Sequence, residues 1–218
     1  TDAAAPGKQH GIHSDNASAN IRISNCAIYN NTRAGLRIDS PGATVEGNLV
    51  FDNGLGPADH GIDAGAYLFT ANGNLVLNNA GDGIRANADA DSQVILGTLC
   101  FLNRGAGILH AGSDGEVRHN TSAVNASGFT YAATTVNTYV DHTIWAHNIT
   151  LAVTGINDPI QDNEDDYNLI HGGYAPGNYG VNEIFDQDPL FTAPATGDFT
   201  LRADSPSPNF GCYAPPLV

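Results

Sequence analysis

His60-Gly61-Ile62-Asp63 is followed, twenty-two positions later, by Asp82-Gly83-Ile84-Arg85. Each phrase sets a small turn residue before an alternating apolar and polar stretch, and the pair Gly-apolar recurs along most of the chain. It opens at Gly11, Gly35, Gly61, Gly83, Gly107, Gly128 and Gly155, at intervals of 24, 26, 22, 24, 21 and 27 residues. A fixed period in this range marks a repeat architecture in which each repeat buries its apolar face only against its neighbours. With short alternating stretches as the unit, about 24 residues make one coil of a β-solenoid.

A second feature has the same period. Six-residue phrases run from Cys26 to Asn31, Asn48 to Asn53, Asn74 to Asn79, Thr98 to Asn103, Asn120 to Asn125 and Thr143 to Asn148. Their last column reads Asn31, Asn53, Asn79, Asn103, Asn125 and Asn148. Identical Asn side chains stacked at the strand spacing, about 4.8 Å, can pass hydrogen bonds from amide to amide along the coil axis. The column is expected to be a structural ladder.

Composition agrees with one continuous body. The 218 residues are 41% hydrophobic with 25 Gly and no Met, and no window carries a long apolar period of 3.6. No apolar run approaches the roughly 18 residues that span a membrane. Eight Lys plus Arg against 23 Asp plus Glu give a net charge of −15, which sets a repulsive field against nucleic acid. Neither nucleic acid nor a membrane is expected as a partner. Three Cys, at 26, 100 and 212, are odd in number and match no metal spacing, so they are expected as small core or turn residues. No capping element is apparent before Gly11, so a missing N-terminal portion or another chain is expected to cover the first coil.

The repeats resemble those of the right-handed parallel β-helix proteins, which commonly read as Asn, several residues, then Gly-Ile-x-apolar. The resemblance covers residues 8 to 157 and implies an all-β, single-stranded right-handed parallel β-helix. Coils are expected over residues 1–157, six or seven in number. A final irregular coil and a C-terminal cap of the same domain are expected over residues 158–218. Asp188-Pro189-Leu190-Phe191, Gly197-Asp198-Phe199-Thr200-Leu201 and Ser205-Pro206-Ser207-Pro208 resemble the closing segment of many secreted bacterial β-helix proteins. That implies an extracellular or periplasmic location.

If the Gly positions are equivalent, the residue two places later points outward while its neighbours point into the core. That outward column reads His13, Arg37, Asp63, Arg85, Leu109 and Thr130, and the column before Gly reads His10, Ala34, His60, Asp82, Ala106 and Ser127. Stacking then places His60 beside Asp82, and Asp63 between Arg37 and Arg85. Arg33, Arg37, Arg85 and Arg104 gather half of the basic residues near these coils, and local positive charge in an acidic chain points to an anionic ligand group.

The chemistry that fits is proton abstraction beside a uronate carboxylate, with arginines neutralising the carboxylate and a histidine moving the proton. His60, Asp82, Arg85, Asp63 and Arg37 are the candidate catalytic residues; His13, His110, Arg33, Tyr67 and Tyr131 are candidates for holding substrate. His60-Gly61-Ile62-Asp63 resembles the aromatic-Gly-apolar-Asp-Pro-His phrase of mannuronan epimerases, with Ala64-Gly65 standing where that family has Pro-His. The resemblance implies a polysaccharide lyase or C5-epimerase of an acidic glycan. A pectate-lyase-like version implies Ca2+ on Asp59, Asp63 and Asp82. Two alternatives stay open: an inverting glycoside hydrolase using Asp59 or Asp63 with Asp82, and a non-catalytic carbohydrate-binding or structural β-helix module. An enzyme is expected to form one wall of a cleft from the loop Gly54 to Asp59, and a binding module to present a flat face.

Overall fold

A computed structural model describes residues 9–87, 91–131, 138–146, 153–154, 164–172 and 182–212. Three parallel sheets wrap around one apolar lumen. The first consists of Ile12–Ser14, Leu36–Ile38, Ile62–Ala64, Ile84–Ala86, Ala106–His110, Ser127–Tyr131 and Val153–Thr154. The second runs from Arg22–Ser24 to Glu164–Asp166 in seven strands, and the third from Ala27–Tyr29 to Ile184–Phe185 in eight. Every strand of these three sheets pairs with its equivalent one coil away, so the chain is a β-solenoid whose coil stack continues past residue 157.

The Gly-led phrases set the register of the first sheet. Ile12 pairs with Leu36, Leu36 with Ile62, Ile62 with Ile84, Ile84 with Ile108 and Ile108 with Phe129. In the next coil Val153 lies opposite Phe129, and the seventh phrase, Gly155-Ile156, lies outside the described residues. In this sheet the first and third residues of each strand face the lumen and the middle one faces out. In the other two sheets the middle residue faces in, as Val45, Ile95, Val76 and Cys100 do. The phase changes because the chain turns a corner between sheets.

Among the described residues, positive φ marks the corners. Asn20, Gly42, Leu68, Ser92 and Asp114 turn the chain from the first sheet to the second; Asn25, Gly47, Gly73, Gly97, His119 and His142 turn it into the third. Asn30, Asp52, Asn78, Leu102 and Val124 turn it out again. Asn, Asp and Gly tolerate this conformation, whereas a residue with a larger side chain costs about 1–2 kcal/mol there. Leu68 is 54% exposed at φ +58, so its strain is not offset by burial. Leu68→Asn is therefore expected to raise unfolding free energy by about 1 kcal/mol, read as a higher urea midpoint at unchanged m. A lower midpoint would show that Leu68 makes a contact worth more than the strain.

The Asn column forms the expected ladder. Asn31 Nδ2 donates to Asn53 Oδ1 at 2.8 Å, and Asn53 to Asn79, Asn79 to Asn103 and Asn103 to Asn125 each at 3.0 Å. Asn148 lies outside the described residues. The glycines of the repeat leave room for this ladder and for the glycine carbonyl of the next coil, which lies 2.6–2.8 Å from where a Cβ would sit on Gly35, Gly61 or Gly83. A Cβ on Gly35, Gly61 or Gly83 would sit 2.7–2.8 Å from the Nδ2 of Asn53, Asn79 or Asn103, and none of these three has positive φ. Close approach, not backbone conformation, is what selects Gly.

A second ladder occupies the first column of the same six-residue phrases. Asn48, Asn74, Thr98, Asn120, Thr143 and Asn168 each receive the backbone N–H of the preceding coil's member through a side-chain oxygen, at 2.9–3.3 Å. The column mixes Asn and Thr, and its common property is an acceptor oxygen at the corner.

Two apolar clusters result. The lumen is filled by residues such as Leu36, Ile62, Ile84, Ile95, Phe129 and Trp145. The outer face of the third sheet, with Leu99, Phe101, Ile144 and Leu169, is covered by Phe191, Phe199 and Cys212 of the closing segment. That segment, expected as a cap, thus lies along the flank of the coils, where Gly211 N donates to the His142 carbonyl at 2.7 Å. Its strands Phe191–Ala193 and Asp198–Leu201 form a separate antiparallel pair. Cys26 is exposed and Cys100 and Cys212 are buried, all three as free thiols.

Candidate functional site

The outward column of the first sheet is the predicted one. His13 lies opposite Arg37, Arg37 opposite Asp63, Asp63 opposite Arg85, and Arg85 opposite Leu109. Alternation puts the residue two places further on the same face, and this brings in Asp39 and Asn87. The result is one connected polar chain over four coils. His13 Nε2 lies 3.1 Å from Asp39 Oδ2, and Asp39 receives Arg37 through Nε at 3.1 Å and Nη2 at 2.8 Å. Arg37 Nη1 donates to Asp63 Oδ2. Asp63 Oδ1 accepts from Asn87 Nδ2 at 2.8 Å, and Asn87 Oδ1 accepts from Arg85 Nε at 3.0 Å.

Arg85 therefore does not bridge to Asp63, as simple stacking suggests. Its Nη1 instead reaches His60 Nε2 at 3.1 Å. His60 is buried, and its Nδ1 lies 3.1 Å from Asp82 Oδ2. Asp82 Oδ1 accepts the Ala106 N–H at 2.8 Å, which fixes the carboxylate. A guanidinium can only donate, so the Arg85 contact calls for the lone pair on Nε2. The backbone N–H of Asp82 also faces Nδ1 at 3.0 Å. The amide and the guanidinium thus draw on opposite tautomers of the neutral ring, and the Asp82 carboxylate stands 3.1 Å from Nδ1.

Two further devices shape the face. A Cβ at residue 65 would lie 2.6 Å from Asp39 Oδ1 and 3.0 Å from Arg37 Nη2, so Gly65 leaves the space in which that ion pair lies. Beside it runs a groove of about 510 Å3, lined by His13, Asp15, Arg37, Asp39, Pro41 and Tyr67 among others. The loop Gly54 to Asp59, expected as a cleft wall, does not line this groove and packs beside His60. Asp59 Oδ2 accepts the N–H groups of Leu55 and Gly56 at 3.1 and 3.0 Å, and the Pro57 and Asp59 carbonyls pack with the His60 ring around Gly81. The loop helps to bury His60.

A family description, the right-handed β-helix region, matches residues 5–163. The chain belongs to this family. No curated protein sequence matches this β-helix chain significantly. Among solved structures it is similar to the A-module of mannuronan C-5 epimerase AlgE4 from Azotobacter vinelandii, at 16% identity and TM-score 0.55, over 78% of this chain and 53% of that one. It therefore spans about half of that module, and at this identity the likeness concerns the fold. A structure described as XylC in complex with xylose aligns at 15% identity and TM-score 0.45, over 66% of this chain and 22% of that one.

On the β-helix face the other sequence-derived candidates divide. Tyr67 is 54% exposed and lines the groove with His13. Arg33 stands 3.9 Å from Asp59, outside the polar chain. His110 is a correction: it occupies the third, inward position opposite Ala86 and is fully buried, and burial pushes its pKa down to about 4. It cannot touch a ligand on the outer face. Tyr131 ends the strand Ser127–Tyr131, and its side chain lies outside the described residues. Arg37, expected to clamp a substrate carboxylate, already gives three N–H groups to Asp39 and Asp63.

The calcium set does not assemble. Asp59 is held by its own loop, Asp63 by Arg37 and Asn87, and Asp82 by His60 and Ala106. Among the described residues no three His, Cys, Asp or Glu side chains come together as a metal site. Likewise, among the described residues no helix is long and apolar enough to cross a membrane.

Proposed function

We propose that this β-helix is a polysaccharide-active enzyme that removes the C5 proton of a uronate unit, as in C5-epimerisation or β-elimination. The observation that carries the reading is the contact of Arg85 with His60 Nε2, the nitrogen opposite the one held by Asp82. C5 of a uronate is bonded directly to the carboxylate carbon. A cation that holds the carboxylate and a base that takes the C5 proton must therefore stand side by side, and here they are 3.1 Å apart.

Arg85 is anchored through Nε to Asn87, so its outer N–H groups can turn from His60 to an incoming carboxylate. That movement frees the Nε2 lone pair and leaves positive charge on the carboxylate, which stabilises the carbanion-like state. His60 then takes the proton and Asp82 stabilises the imidazolium. Return of a proton from the opposite face gives the epimer, while departure of the C4 oxygen gives an unsaturated uronate. Asp63 accepts a donor at both oxygens and Asp82 accepts the Ala106 N–H at Oδ1, which is not the arrangement of a proton-giving acid for hydrolysis. The groove beside the polar chain argues against a flat binding module. A polymeric substrate of this kind goes with an extracellular or periplasmic location.

The test is incubation in D2O with a panel of uronate glycans, with and without calcium, following deuterium at C5 by NMR and absorbance near 235 nm. C5 exchange or a rise in absorbance is expected, and His60→Ala should lower it by roughly 10²–10⁴-fold. Unchanged polymer in both channels, or full activity in His60→Ala, overturns the proposal.

A further inference from the structure

The groove lies one to three coils from Arg85, from the coil of His13 to the coil of Gly65. Successive coils are about 4.8 Å apart, so from Arg85 to Arg37 is roughly 10 Å, the span of about two sugar rings. A polymer whose reacting unit sits on Arg85 and which runs along the column therefore lays its neighbouring units in this groove.

Its charge is the reverse of what a second uronate needs. Asp15 and Asp39 contribute two negative charges against the single guanidinium of Arg37, which is spent on Asp39 and, behind it, Asp63. His13, already engaged with Asp39, sits 5.6 Å from the His10 ring. Burial raises the pKa of Asp39, but the hydrogen bonds and charges of Arg37 and His13 outweigh it and hold the carboxyl below its ordinary value. The groove thus offers fixed acceptor oxygens, which suit hydroxyl and amide donors, and an exposed Tyr67 ring against which the apolar face of a sugar can lie. Two N–H groups of Arg37 remain for neutral oxygens.

We propose that the groove binds a neutral or N-acetylated sugar beside the reacting uronate, so that the substrate is an alternating glycan and not a homopolyuronate. The inference rests on the uronate reading of Arg85 and His60, and it selects among the glycans that reading allows. Asp15 and Asp39 are the specificity-determining groups: a carboxylate in the groove meets like charge with no free cation to offset it.

Binding tests it apart from turnover. Hexasaccharides of hyaluronan, unsulfated chondroitin and heparosan, in which glucuronate alternates with an N-acetylhexosamine, are titrated into the full chain by calorimetry, against hexauronides of alginate and pectate. At least one alternating hexasaccharide is expected to bind ten-fold or more tighter than either hexauronide. Asp15→Asn and Asp39→Asn should each narrow that gap, and Tyr67→Ala should weaken the alternating ligand several-fold. Equal or tighter hexauronide binding, or no binding by any of the five, overturns the inference. Preferential binding of an alternating glycan without C5 exchange upholds the groove's preference and sinks the proposed reaction instead.

Discussion

Asn79→Ala is expected to cost about 3–5 kcal/mol of folding stability. Asn79 is fully buried at the middle of the first ladder; its Oδ1 accepts both the backbone N–H and Nδ2 of Asn53, at 3.1 and 3.0 Å. Its Nδ2 donates to the Val50 carbonyl at 3.2 Å and to Asn103 Oδ1. Truncation removes partners from both neighbouring coils at once, and each buried group left unsatisfied costs about 1–3 kcal/mol. The terminal Asn31→Ala, at a half-buried position with solvent in reach, should cost less than about 1.5 kcal/mol. Urea unfolding of both variants reads the difference directly. A loss below about 1 kcal/mol for Asn79→Ala would mean that the ladder is geometry without energetic weight.

Acidification from pH 6.5 to pH 4 is expected to remove about 3 kcal/mol of stability through His110 alone. Its ring is sealed in the lumen, and burial lowers its pKa from 6.5 to about 4. Above pH 6.5 both folded and unfolded chains hold the neutral ring and nothing is lost. Between pH 6.5 and 4 only the unfolded chain takes the proton, so stability falls with pH at about 1.4 kcal/mol per pH unit. Below about pH 4 both states are charged and this loss stops growing. His10, lowered by burial and then by Arg33 and His13, adds a smaller loss in the same direction because it is only partly buried. Asp39, whose pKa is lowered, acts only below its unfolded value of 3.8, outside this window. His110→Leu should flatten most of the slope between pH 6.5 and 4. An unchanged slope in that variant would place the acid sensitivity elsewhere.

The site illustrates how far alternation carries. His60 beside Asp82, and the order His13, Arg37, Asp63, Arg85, followed from stacking equivalent positions. Asp39 and Asn87 were within reach of the same rule, since residues two apart on a strand share a face. They stayed out of sight because reading one column at a time leaves out its neighbour. The second ladder was hidden for a related reason: its members are Asn and Thr, which differ as letters and agree only in offering an acceptor oxygen.

What the sequence by itself determined is everything that depends on the period. The Gly-apolar phrase and the terminal Asn specify coil length, strand pairing, inward and outward faces and the first ladder, because in a solenoid each residue's neighbours are its own equivalents one coil away. Even the tie between the two signals is local, a glycine leaving room for the amide of Asn79 or Asn103.

The tertiary structure alone decided where long side chains end. Arg85 turns to His60 and not to Asp63 opposite it, while Asn87 takes both Arg85 Nε and Asp63 Oδ1. Arg37 is drawn into a fork with Asp39 because residue 65 has no side chain to fill that space. The closing segment lies against the flank of the third sheet because Leu99, Phe101 and Ile144 offer an apolar surface there. Side-chain reach and the burial of apolar flanks depend on several coils at once, and no one-dimensional period encodes them.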